Sequence, residues 1–168
     1  MSFLASFYLI PATLGEQLAA AAEAPAPRPV RSWNPFKPKA PPQPDPLLAF
    51  LDANARELAD FPYNGNVLID AELLAPAAFT TGHPLGERLS AATGGTYIAY
   101  TPALAAQAIA ALRAAEFSQA AIDEALRADG RGDEDSADYE TGMRDGVARL
   151  IRWLEEVGGA DVGLLCIG

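Results

Sequence analysis

Met143-Arg-Asp-Gly-Val147-Ala-Arg-Leu150-Ile151-Arg-Trp-Leu154-Glu-Glu-Val157, then Gly158-Gly159, then Val162-Gly-Leu-Leu-Cys-Ile167: this closing stretch decides the fold. Met143, Val147, Leu150, Ile151, Leu154 and Val157 recur at helical spacing and form one wide apolar stripe. The two glycines end that helix. Val162–Ile167 is apolar almost throughout, as in a strand buried on both faces. A one-sided helix followed by a two-sided strand predicts helices packed on a sheet.

Working outward, two further strands are expected. Phe3–Ile10 is rich in aromatic and branched residues and stops at Pro11. Tyr97–Tyr100 lies in an alternating stretch that opens after Gly94-Gly95. The expected fold is a single α+β domain, with Phe3–Ile10, Tyr97–Tyr100 and Val162–Ile167 in one small sheet packed with several helices.

Helices fill the intervals. Thr13 and Glu16 have capping-box spacing ahead of a helix over Leu14–Ala24. Leu47, Leu51, Ala55 and Leu58 predict a helix over Leu47–Asp60. Asn66–Phe79 is ambiguous: Val67-Leu68-Ile69 suits a strand, Asp70–Leu74 suits a helix, and helix is favoured. Gly82, Pro84 and Gly86 suggest irregular chain with one helical turn near Glu87–Ala92. Thr101 caps and Pro102 opens a helix running to about Ala115. Phe117 and Ile122 staple a second one, starting at Gln119 behind Ser118.

Composition narrows the function classes. The chain has 168 residues, half of them hydrophobic, which suits one globular domain with a real core. The formal net charge is −10. Such a chain repels nucleic-acid phosphates and anionic lipid surfaces and attracts a basic protein. A single cysteine, Cys166, forbids an internal disulfide and suits a reducing cytoplasm. The apolar start lacks the basic residues that open a signal peptide. No apolar run approaches the roughly 20 residues of a membrane helix.

Charge is unevenly spread. Pro25–Pro46 holds nine prolines in 22 residues and a local charge of +3, leaving −13 on the remainder. Pro35, Pro38, Pro41 and Pro44 repeat every third residue, which would stack them on one face of a polyproline II helix. Trp33 and Phe36 stand beside that ladder. They could anchor a partner or pack on the body, with the segment serving as a semi-rigid surface insertion. At the other extreme, Asp129–Asp145 reads as an acidic, glycine-rich loop carrying Asp133, Glu134, Asp135 and Asp138.

Three stretches resemble the YfbM-like family of bacterial domains of unknown function. These are Ser2–Pro11, Tyr97-Ile-Ala-Tyr-Thr-Pro102 with the alanine-rich helix behind it, and Met143–Ile167. The resemblance covers less than half the chain and carries no chemically specific motif. It implies an α+β fold and a bacterial cytoplasmic protein, and no activity.

No complete catalytic or metal site is visible. His83, the one histidine, lies in Thr80-Thr-Gly-His-Pro84, where it could serve as a general base beside an acid or hydroxyl. A hydrolase or transferase built on His83 is therefore the alternative function, although a lone loop histidine is more often solvated or locally bonded. Cys166 sits in an apolar strand without a positive neighbour, which suits burial better than reactivity. One His and one Cys nearly exclude a structural zinc site. The acidic run from Asp129 to Glu140 lacks the ligand spacing and glycine of a calcium loop. No cofactor is expected. The leading expectation is a non-enzymatic binding protein, of immunity or regulatory type, that masks a basic protein; Trp33, Phe36, Asp133, Glu134, Asp135 and Asp138 are its candidate contacts.

Overall fold

A computed structural model describes residues 4–25, 45–58, 65–131 and 137–168. Their elements are β1 (Ala5–Pro11), α1 (Gly15–Glu23), α2 (Pro46–Asn54), β2 (Arg56–Glu57), α3 (Asn66–Leu74), α4 (Pro76–Phe79), α5 (Pro84–Thr93), β3 (Thr96–Tyr100), α6 (Pro102–Ala114), α7 (Gln119–Ala128), α8 (Ala137–Glu155) and β4 (Asp161–Ile167). The strands form one antiparallel sheet in the order β2-β1-β4-β3. The chain folds as a small α+β domain, and β4 occupies an interior position, as its two-sided apolar sequence requires.

Alternation along the strands divides the interior in two. Phe7, Leu9, Ile98, Tyr100, Leu165 and Ile167 face a core shared with α3, α4, α6, α7 and α8. Ile10, Ala99, Val162 and Leu164 face the opposite core, filled by Leu18 of α1, Leu47 and Leu51 of α2, and Leu85 and Leu89 of α5. Along α8, Met143, Val147, Leu150 and Leu154 are buried, together with Trp153. Phe7 stacks between Trp153 and Tyr100, at ring-centroid distances of 5.6 and 6.1 Å. Leu9 lies opposite Gly163 across the β1–β4 ladder. A Cβ on Gly163 would come within 2.6 Å of both Phe7 Cζ and Val157 Cγ2, so only glycine fits beneath the ring.

Several expected boundaries move. The helix expected over Leu47–Asp60 ends at Asn54; Ala55 is extended, and Arg56-Glu57 pairs with Leu9 and Tyr8 as an edge strand. Pairing with β1 overrides the helical spacing there. Residues 59–60 lie outside the described part. The capping box at Thr13 and Glu16 does not form: Ala12–Leu14 is a 3₁₀ turn, and α1 begins without a side-chain cap. Glu16 instead pairs with Arg88 of α5 at 2.9 Å, and Glu23 joins the same guanidinium at 3.0 Å. The Asn66–Phe79 stretch is helical, as α3 and α4.

The stretch with Pro84 and Gly86 is a ten-residue helix, longer than the single expected turn. Pro84 starts α5, where a missing N–H costs nothing. Gly86 lets the helix touch the sheet, since a Cβ there would meet the Tyr97 carbonyl at 2.8 Å. Ser90 Oγ then accepts from Tyr97 N–H at 3.0 Å, which occupies one outward-facing donor of the edge strand β3. Thr101 and Ser118 cap α6 and α7 through Leu104 N–H and Ala121 N–H, as their positions predict.

Candidate functional site

The densest charge lies where α7 hands over to α8. From Glu116 to Asp145 the sequence holds ten acidic and three basic residues, a net −7 out of −10 for the chain. The acidic loop expected over Asp129–Asp145 is helical in its later part, because α8 begins at Ala137 and runs through Asp145. Asp138 and Glu140 fall in its first turn, where the positive end of the helix dipole stabilises carboxylates. That is why so acidic a stretch is helical. Asp129, Asp138 and Asp145 are exposed, and Glu140 pairs with Arg144 one turn on at 2.8 Å.

Beneath this surface sits a buried carboxylate that sequence reasoning missed. Asp70 of α3 is 2% exposed, and it is the one buried charged side chain among the described residues. Arg131, just past α7, grips it with both terminal nitrogens, Nη1 on Oδ1 and Nη2 on Oδ2, the latter at 2.9 Å. The Tyr139 hydroxyl of α8 donates to Oδ2. Asp70 holds the Arg131 guanidinium in its charged form, chiefly through these hydrogen bonds, and shifts its pKa upward. Backbone geometry aims Arg131: Gly130 turns left-handed at φ 76°, and Arg131 N–H bonds back to Leu126 O at 2.9 Å, which closes α7. Arg131 and Tyr139 lie on either side of Asp133, Glu134 and Asp135 in the sequence. Asp70 therefore ties Arg131, just past α7, and Tyr139, near the start of α8, to one point of the core. A buried acid at position 70 shows no signal in the sequence, because its partners lie 61 and 69 residues away.

The other candidate residues are scattered. Trp33, Phe36, Asp133, Glu134 and Asp135 lie outside the described residues, as does the proline ladder; Asp138 is described and exposed. His83 is the N-cap of α5, and its Nδ1 accepts from Leu85 N–H at 3.2 Å. Cys166 faces the sheet side covered by α1, α2 and α5, among Tyr8 and Tyr97. Burial, with a smaller contribution from Glu57, pushes its thiol well above the ordinary range. Among the described residues, no group of three or more His, Cys, Asp or Glu side chains is placed to hold a metal ion. Nor is any described helix long and apolar enough to cross a membrane.

Compared with family models, curated proteins and solved structures, the chain matches none.

Proposed function

We propose that this protein is a non-enzymatic binding protein, of immunity or regulatory type, which masks a basic protein partner through the acidic residues of the sequence Glu116–Asp145. One observation carries the reading: seven of the ten net negative charges fall within Glu116–Asp145, and Asp70 fastens the middle of that stretch from below through Arg131 and Tyr139. Concentrated charge of one sign speeds encounter with a cationic surface, and a fixed base lowers the ordering cost on contact. The likeness to the YfbM-like family and a cytoplasmic setting belong to the same proposal.

Capture from an extract of the native host tests it. Wild type is compared with a variant carrying Asp133→Asn, Glu134→Gln, Asp135→Asn and Asp138→Asn. The reading expects a basic protein retained by wild type at low salt and lost by the variant. Equal retention by both would oppose it.

A further inference from the structure

One end of the sheet runs out from under its helices. On the face covered by α1, α2 and α5, Leu164 and Ala99 are fully buried. One row further along, Ser6, Cys166 and Tyr97 stand side by side across β1, β4 and β3, and all three are only partly buried. Tyr8, beside Leu164, is partly buried too. Leu4 pairs with Gly168 beyond that row, falls on the same face by alternation, and is 73% exposed. Leu4, Tyr8 and Tyr97 therefore form an apolar, aromatic strip that reaches the surface. Exposed carboxylates stand on its two sides. Glu57 lies opposite Tyr8 on β2, and Asp45, which caps α2, lies within electrostatic reach of Tyr97.

We infer that the occupant of this strip is the segment 26–44 of the same chain, docked through Trp33 and Phe36 on Leu4, Tyr8 and Tyr97. The places where that segment leaves and rejoins the described residues support it. Pro25 follows α1 and Asp45 precedes α2, two helices that pack on this same sheet face. Nineteen residues at about 3.1 Å each give ample reach to cross the strip and return. The chemistry matches as well. The segment holds Arg28, Arg31, Lys37 and Lys39 and no acid, against Glu57 and Asp45 on the strip. Three-residue proline repeats such as Pro35, Pro38, Pro41 and Pro44 are recognised by grooves lined with aromatic rings, which Tyr8 and Tyr97 supply. Tethering sets an effective concentration on the order of millimolar, well above that of a dilute partner. Of the two uses open to Trp33 and Phe36, packing on the body is the one assigned.

The test is Overhauser spectroscopy on the full chain, joined to limited trypsin digestion. Cross-peaks from the Trp33 or Phe36 ring to Leu4, Tyr8 or Tyr97 are expected. Cleavage after Arg31 should be at least about tenfold slower than in a free 26–44 peptide, since cutting follows the undocked population. Trp33→Ala with Phe36→Ala leaves the strip itself unaltered and should bring cleavage to the peptide rate. Glu57→Lys, at an exposed position, should speed it about threefold, as loss of one surface pairing does. Absent cross-peaks, a wild-type chain cut as fast as the peptide, or a double variant cut as slowly as wild type would each overturn the inference. So would Leu4, Tyr8 and Tyr97 resonances that move on dilution while the mass falls from dimer to monomer, because the strip would then belong to a second copy.

Discussion

Phe7 and Trp153 stack with ring centroids 5.6 Å apart, joining the first strand to the last helix across almost the whole length of the chain. Gly163 makes room for that contact. Gly163→Ala should therefore destabilise by about 1–3 kcal/mol, the usual cost of overpacking a tight core. Urea unfolding measures it. Adding Val157→Ala should recover part of the loss, because it removes one of the two groups a new Cβ would strike. A neutral single substitution would mean that the ring is not seated as described.

Leu154 is 1% exposed near the C-terminal end of the α8 stripe. Leu154→Ala should cost about 2–5 kcal/mol, by lost transfer energy plus the cavity left behind. A urea midpoint unchanged from wild type would place the stripe in solvent.

The closing stretch was legible because its signals are local. The α8 stripe and the two-sided β4 each depend on burial by neighbours that any sheet would supply. Thr101 and Ser118 were legible for the same reason, since a cap needs only the next few residues. Arg56-Glu57 was not, because a helical spacing at Leu47–Leu58 competes with a ladder to β1 that lies more than 40 residues earlier. Neither was the start of α8, where acids that look like loop are stabilised by the helix end they occupy. Among the candidate site residues, Asp138 was chosen on charge, and it lies exposed in the first turn of α8. Asp70 could not be found in this way, because its role depends on Arg131, from the turn behind α7, and Tyr139, from α8, both meeting it.

The Asp70 clamp makes an asymmetric prediction. Arg131→Ala strips a buried carboxylate of its counter-charge and should cost several kcal/mol, about 3–5 for a fully buried pair and less here because Arg131 is partly exposed. Asp70→Asn leaves a neutral amide in the same space, with Arg131 able to turn to solvent, and should cost less. Thermal melts of the two variants decide the order. Asp70→Asn proving the more damaging would contradict the described burial.

His83 as a helix cap predicts that His83→Ala loses about 1 kcal/mol while His83→Asn, itself a good cap, stays close to wild type. A loss of equal size in both variants would show that the ring, and not the Nδ1 acceptor, matters at that position.

Alkaline pH should unfold the protein early. Burial raises the Tyr8 hydroxyl to about 12, with Glu57 and Cys166 adding to it, and raises Tyr97, Tyr100 and the Cys166 thiol as well. A group whose pKa is raised by folding contributes stability that is complete below its unfolded value and is lost as pH climbs through its folded value. The unfolded values are 9.0 for the thiol and 10.0 for the tyrosines, so the loss should begin near pH 9 and steepen above 10. Tyr100→Phe should cost about 1 kcal/mol at neutral pH, through the lost bond to Ala78 O, yet flatten the alkaline slope. A stability profile level from pH 8 to pH 11 would contradict this account.

The central claim is that the acidic end, held by Asp70, recognises a cationic protein. The most direct measurement is the association rate of the captured partner across ionic strength, for wild type and for the variant neutralised at Asp133, Glu134, Asp135 and Asp138. Electrostatic steering predicts that the wild-type rate falls about tenfold or more from low to high salt, and that the variant starts slow and changes little. Equal rates and equal salt slopes in the two proteins would contradict it.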